Sequence, residues 1–422
     1  MTPLAALRGA EGARKAKSAA LALLLFAGLV WLEAAPHAAL PAVAAAAPVV
    51  APSLAPGGSW VRKGQGLLPM PPQTPAAHAS SLLAMPSGHR CAIMAYWFAG
   101  ERESAADVQI ASSCFERSRQ QWSAATFVVN RHQMGDLLGL GLRRLGNPVP
   151  WLDATGRVHL FVVATGPGGW AASRVLHVRQ VAPQVVVGTA GATAAGTASE
   201  LVFAQPRLLP LAWWWNVSHL VRGAPLALAD GGMVLPVYFE LGVKYPVALR
   251  FDAHGEFEGM TRMSNRRTVL QPTLLALNGA HWLALMRDNR VDGHIAVVQT
   301  GDGGQNWRDL RALNLINPDA AVAATTIGPW HFMLAHNSSP RSRQVLQLSE
   351  SGNGVDWVPV KTLAAGDTVT LSEGHGRDKG LQTRTAEFSY PALVWADNSL
   401  WVTYTENRTR IAWQQFVMEK SP

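Results

Sequence analysis

Few side chains of this chain stand in a pattern that names a reaction outright. No phosphate-cradling GxxxxGK[ST] loop and no GxGxxG opening a helix is present, so nucleotide and flavin chemistry have no anchor. Cys91 and Cys114 are too few for a four-cysteine zinc module, no other spacing suggests a metal, and no cofactor is expected. If Trp97 and Val108 pair across a hairpin, the same register sets Cys91 opposite Cys114. That arrangement allows either a disulfide in an oxidising compartment or two buried thiols. Arg102, Glu103 and Asp107, groups able to hold an anion or move a proton, flank the same hairpin. Trp213, Trp214 and Trp215 suit stacking on sugar rings or packing between sheets. The sequons at Asn216, Asn337 and Asn407 have the spacing for glycosylation in a host that glycosylates exported proteins.

These residues are far apart, and the elements that must gather them follow from a repeat. A turn cluster followed by a run of about eight β-prone residues begins at Met85, Leu152, Leu228, Leu277, Ile327 and Ala396. Six such units across residues 59–422 suit a six-bladed propeller of four-stranded sheets. A second repeat agrees with the first. Thr300-Gly301-Asp302-Gly303-Gly304-Gln305-Asn306-Trp307 fits Ser/Thr-x-Asp-x-Gly-x-x-Trp, and the stretch from Ser351 to Trp357 is a shortened copy. Asp bonds its own turn amides, Gly supplies positive φ, and Trp packs between sheets, so the motif is structural.

Composition narrows the class further. The chain has 422 residues, 48% hydrophobic and 15% charged, which excludes wholesale disorder. Arg8, Arg14, Lys15 and Lys17 precede an uncharged apolar run over residues 18–32, the pattern of a secretory signal or a retained anchor. Residues 1–33 are therefore assigned to targeting and residues 34–58, rich in Ala and Pro, to a linker. Ala42-Val43-Ala44 would suit a signal peptidase. The expected location is periplasmic or extracellular, with inner-membrane anchoring if the segment stays. Of the formal charge of +8, residues 1–58 carry +2 and leave +6 without any run of Lys or Arg, which argues against nucleic acid as a partner. A monomer is expected.

Residues from about 77 to 413 resemble the bacterial sialidase-like family with BNR (Asp-box) repeats. The resemblance rests on His78-Ala79-Ser80, on the run from Trp97 to Glu103 and on Asn147-Pro148-Val149. It continues at Gln271-Pro272-Thr273, Leu285-Met286-Arg287, His336-Asn337-Ser338 and the run from Glu387 to Ala392. It implies an all-β, six-bladed fold and an exo-acting glycoside hydrolase whose substrate is a glycan ending in a small acidic sugar. Sialidases hold the substrate carboxylate with three arginines, attack with a tyrosine partnered by a glutamate, and use an aspartate on a loop as acid/base. Arg287 matches the second arginine, Arg341 or Arg343 the third, and Arg102 a binding arginine of the first blade. Glu103 and Asp107 fall where the acid/base loop belongs.

The departures are as informative. His78 stands at the first arginine, Gln271 at the glutamate and Phe388 at the nucleophile. Tyr390 is two residues further along and, in a regular strand, shares the Phe388 face about 7 Å away. Gln cannot take a proton and Phe cannot attack. The expected alternatives are Tyr390 or Glu387 as nucleophile or base, an inverting route through Glu387, or a propeller that binds glycans or serves envelope polysaccharide assembly without catalysis.

Overall fold

The computed structural model describes residues 17–25, 42–47, 58–103, 105–181, 201–212, 216–290, 293–373 and 380–419. Six antiparallel sheets make up a six-bladed propeller. The first-strand segments, nearest the axis, are Ala76–Ala84, Arg144–Leu152, His219–Val221, Val269–Ala276, Ala323–Gly328 and Phe388–Ala396. Every repeat found in the sequence lies on the turn into a blade's second strand, such as Cys91–Gly100 and Val158–Thr165, which are buried along their whole length. The period is visible because this strand is covered on both faces and reads as a continuous apolar run. One hydrophobic cluster fills each gap between neighbouring blades, and Trp97, Trp282 and Trp401 are the largest side chains buried there.

The last blade is closed by the other end of the chain. Ser59–Leu67 pairs antiparallel with Arg410–Glu419, beside Ser399–Glu406 and Phe388–Ala396. A two-turn helix, Arg131–Leu138, joins the first and second blades, its amino end capped by Asn130 Oδ1, which accepts from the His132 amide at 2.8 Å. Both Asp-boxes adopt one geometry. Asp302 Oδ1 accepts from the Asn306 amide (2.9 Å) and Trp307 Nε1 donates to the Gly304 carbonyl (3.0 Å). In the shortened copy Asn353 takes the aspartate's place, accepting from the Asp356 amide (2.8 Å), and Trp357 donates to Gly354 (3.0 Å).

The structure bears on several of these expectations. Cys91 and Cys114 are disulfide-bonded, with Cα atoms 5.6 Å apart. The register differs from the one that suggested them: Trp97 faces Ala111 and Cys114 faces Met94, with a bulge between Cys91 and Ile93. Residues 42–47, within the stretch assigned to a linker, are docked on the propeller. The Ala45 amide donates to Gly279 (2.7 Å), that of Ala46 to Ala227 (2.9 Å), and Ala44 accepts from Ala229 (2.9 Å). Small side chains permit this approach, and a Cβ on Gly303 would lie 2.7 Å from the Val43 carbonyl oxygen. The suggested peptidase motif is thus part of this contact. Residues 17–25 are helical and exposed, and among the described residues no helix is long and apolar enough to cross a membrane. The rest of the targeting segment and Trp213 to Trp215 lie outside the described residues.

The three sequon asparagines are structural. Asn337 is fully buried and donates to the Phe388 carbonyl (2.9 Å), Asn407 accepts from the Glu387 amide (2.9 Å), and Asn216 donates to Leu209 (2.7 Å).

Candidate functional site

One backbone device recurs around the axis. Ala79, Asn147, Ser218, Gln271, Asp319 and Tyr390 all have φ between 43° and 59°, one at or just before the first strand of each blade. In four of these strands the ladder shifts register there: between His78 and Ser81, Gly146 and Val149, Leu270 and Thr273, and Ser389 and Ala392. A bulge inserts an unpaired residue and re-aims its side chain, and strained backbone of this kind is typical of functional sites. Proline follows at Pro148, Pro272 and Pro391, where the missing N–H suits a residue outside the ladder. The bulge side chains of Asn147, Gln271 and Tyr390 line a cavity of about 410 Å³ at the propeller mouth.

This re-aiming corrects the expected face for Phe388 and Tyr390. The bulge, between Ser389 and Ala392, takes Tyr390 itself out of the two-residue alternation. Phe388 packs in the core against Tyr404, ring centroids 6.2 Å apart. Tyr390 turns into the cavity, where Gln271 Nε2 donates to its phenol oxygen (3.4 Å) and to that of Tyr238 (3.3 Å). Gln271 is oriented by Arg287, whose Nη1 donates to Oε1 (3.1 Å) while its Nε donates to Asp319 (2.6 Å). Beneath lies Arg222, buried, with its guanidinium 5.3 Å from the Tyr390 ring centroid and Nη2 donating to the Pro391 carbonyl (2.8 Å). Burial brings its pKa down to about 10 against the favourable pull of the two tyrosines. Burial likewise pushes the Tyr238 phenol above its usual range.

A second group borders the cavity at Glu103. Arg408 bridges Glu103 and Glu387, its Nε 2.9 Å from Glu387 Oε2, and Arg343 Nη1 donates to Glu387 Oε1 (2.9 Å). Arg343 Nη2 also donates to the Asp319 carbonyl (2.6 Å). Burial opposes the charge on Glu387, but its bonds to Arg408 and the charges of Arg408 and Arg343 outweigh it and hold the carboxyl down at about 2. A carboxylate so clamped is a countercharge and a poor proton acceptor near neutrality. His78 lies under the cavity, its ring centroid 4.4 Å from that of Tyr390 and Nε2 3.9 Å from Glu103. Burial, then the Arg408 charge, bring its imidazole down to about 3, so it is neutral.

The structure therefore brings together Glu103, His78, Gln271, Arg287, Arg343, Glu387 and Tyr390. Arg102 is exposed on a turn, with no ion pair for its guanidinium among the described residues, and Arg341 is exposed as well. Asp107 is a loop-former, accepting from the Glu101 amide (2.7 Å). Arg222, Asp319, Tyr238 and Arg408 belong to the site without having been anticipated. The recurring residue-Pro pair at Asn147, Gln271 and Tyr390 was the available signal for the bulges; Arg408 sits on a turn with no motif of its own. Of the arginines expected to await an anion, Arg287 and Arg343 each already hold a carboxylate.

Comparison with known proteins agrees with this architecture. Residues 91–402 match the BNR repeat-like domain family. A Hadza microbial sialidase superposes with a TM-score of 0.60 at 16% identity, over 81% of this chain and 66% of that one. Trypanosoma rangeli sialidase in complex with sialic acid gives 0.60 at 14% identity, over 86% and 59%. A protein of unknown function from Dyadobacter fermentans gives 0.60 at 11%, over 86% of this chain and 100% of its own. This chain thus spans less than two thirds of the length of either sialidase, and no curated protein matches it in sequence. With the family match over most of the chain, the six blades and the paired Asp-boxes, the protein belongs to the sialidase-like family of BNR-repeat propellers.

Proposed function

We propose that the protein is an exo-acting glycoside hydrolase with Tyr390 as nucleophile and Glu103 as acid/base. The observation that carries this reading is the Tyr390 phenol, turned into the cavity by its bulge and held between the Gln271 amide, Arg287 and the buried Arg222. In the first step Tyr390 Oη bonds to the anomeric carbon as the glycosidic bond breaks, and Glu103, which leaves Arg408 on taking up a proton from cavity water, gives that proton to the departing oxygen. Gln271 donates to the phenol and cannot accept from it, so the phenol proton leaves to cavity water. The charges of Arg222 and Arg287 then favour the oxyanion. In the second step water attacks the anomeric carbon, Glu103 takes its proton, and Tyr390 leaves as the phenolate and takes a proton back from cavity water. The amino-terminal basic and apolar segment supports export of the propeller to the periplasm or the exterior.

Gln271 itself favours a second reading, a propeller that binds glycans without cleaving them. Hydrolysis of a panel of sialosides, uronosides and neutral glycosides by the full chain separates the two. The hydrolase reading expects turnover that Tyr390→Phe lowers by at least about 10³-fold. Gln271→Glu, which keeps the Arg287 contact and supplies a proton acceptor, should raise the rate about 10²-fold. Inactivity of both proteins with glycan binding retained would leave the binding reading.

A further inference from the structure

We propose that the cavity takes a neutral, polyhydroxylated sugar ring, and that Asp319 and Glu387 are the residues that turn an acidic ring away. This rests on the reading of the cavity as a glycan site. It departs from what the arginine content suggests, because Arg287, Lys244, Arg343 and Arg408 beside the cavity are each already bound to a carboxylate and Arg222 is buried beneath the Tyr390 ring. Arg287 is held by Asp319 at 2.6 Å, Lys244 by Glu240 at 3.3 Å and Arg408 by Glu103 and Glu387. Arg343 is held by Glu387 at 2.9 Å, and Arg222 lies beneath the Tyr390 ring with its own carbonyl partner. Four of these five cations thus meet four carboxylates (Glu103, Glu240, Asp319 and Glu387). A ligand carboxylate seeking the Arg287 fork would have to displace Asp319 and then lie beside it, two like charges in a confined site.

Arg222 Nε has no hydrogen-bond partner among the described residues, but Arg222 is buried beneath the Tyr390 ring and does not line the cavity; the other unpartnered polar groups beside the cavity are neutral. Asn147, only 6% exposed, lines the cavity, and among the described residues its amide has no hydrogen-bond partner. An amide offers both a donor and an acceptor, the complement of a sugar hydroxyl, which is also both. Both ring nitrogens of the buried His78 are likewise unpartnered. Aromatic walls from Phe98, Trp170, Tyr238 and Tyr390 complete the lining. Flat aromatic faces with a few hydrogen-bonding groups suit the apolar face and rim hydroxyls of a pyranose. Asp319 reaches this position because its own backbone is in the left-handed region, φ 52°, the fifth blade's member of the axial ring.

The test uses the full chain on an array of matched sugars. Oligogalacturonides would be compared with the same oligomers after carboxyl reduction, and sialyllactose with lactose. The expected result is at least about tenfold stronger binding of the neutral member of a pair, little changed by added salt. Asn147→Ala should lower that binding about tenfold. Asp319→Asn should raise binding of the acidic member at least about tenfold, with a new salt dependence, by freeing the Arg287 fork. Tighter, salt-sensitive binding of acidic members by the wild-type chain would overturn the neutral selectivity and leave the glycan site standing. Binding of neither class by the wild type or by Asp319→Asn would remove the glycan reading and this inference with it.

Discussion

At Tyr390 the chemistry depends on charges the phenol does not touch through its own hydroxyl. Arg222 lies under the ring and cannot be replaced by a neutral group without removing the only buried cation there among the described residues. Arg222→Met should lower kcat about 10–10²-fold with KM changed little, and Arg222→Lys should retain more activity, as steady-state kinetics would show. The histidines give a pH prediction. His78 and His336 are held near 3 and 4 by burial, and His159 and His177 are lowered by the same cause. Arg207 Nε donates to His177 Nδ1 (2.9 Å), so His177 carries its proton on Nε2 and donates to His159 Nδ1 (2.9 Å), whose Nε2 donates to Asp153 (3.0 Å). Protonating either ring would set two N–H groups face to face. The unfolded chain takes up these protons near pH 6.5 while the folded chain does not, so this stability is complete above about 6.5 and is lost as pH falls towards the folded values. The Tm should therefore drop by several degrees between about pH 7.5 and 5, a window in which Glu387 and Glu256, both held near 2, contribute little, since their unfolded forms protonate mainly below it. Of the site, Arg287, Gln271 and His78 were legible from the sequence because motifs carried them; Arg222 and Asp319 were not, because burial and a turned backbone place them.

Among the elements, the axial bulges and the docked 42–47 segment matter most. Strand alternation is the rule that sequence reading relies on, and each bulge suspends it at the one position that faces the site. That is why Phe388 and Tyr390 could be set on one face in the sequence yet part company in the fold. The same effect moved the Cys91 register. Removing residues 1–47 rather than 1–41 deletes three backbone hydrogen bonds, each worth about 0.5–1.5 kcal/mol, and should lower the Tm by a few degrees. Gly303→Ala should destabilise the longer form more than the shorter, since φ 71° strains both and the Val43 contact exists in only one. Differential scanning calorimetry of the four proteins would show it. Replacing Cys91 and Cys114 by Ala should cost about 2–4 kcal/mol in denaturant unfolding.

For the whole molecule, the sixfold period was visible because each blade must bury a second strand between two neighbours, and that demand repeats in every blade. What one blade does differently is invisible to a repeat, and the site is built from such differences at a single mouth. The docked segment contacts the turns at Leu228, Gly279 and Gly303, the ends of blades opposite to Gln271 and Arg287, so residues 42–47 lie on the face away from the cavity. The central claim is that Tyr390 forms the bond to sugar. Peptide mass spectrometry after exposure to a panel of fluorinated glycosyl fluorides addresses it directly. The account predicts one glycosyl adduct, on the peptide carrying Tyr390 and absent from Tyr390→Phe; turnover without that adduct, or an adduct on Glu103 or Glu387, would contradict it.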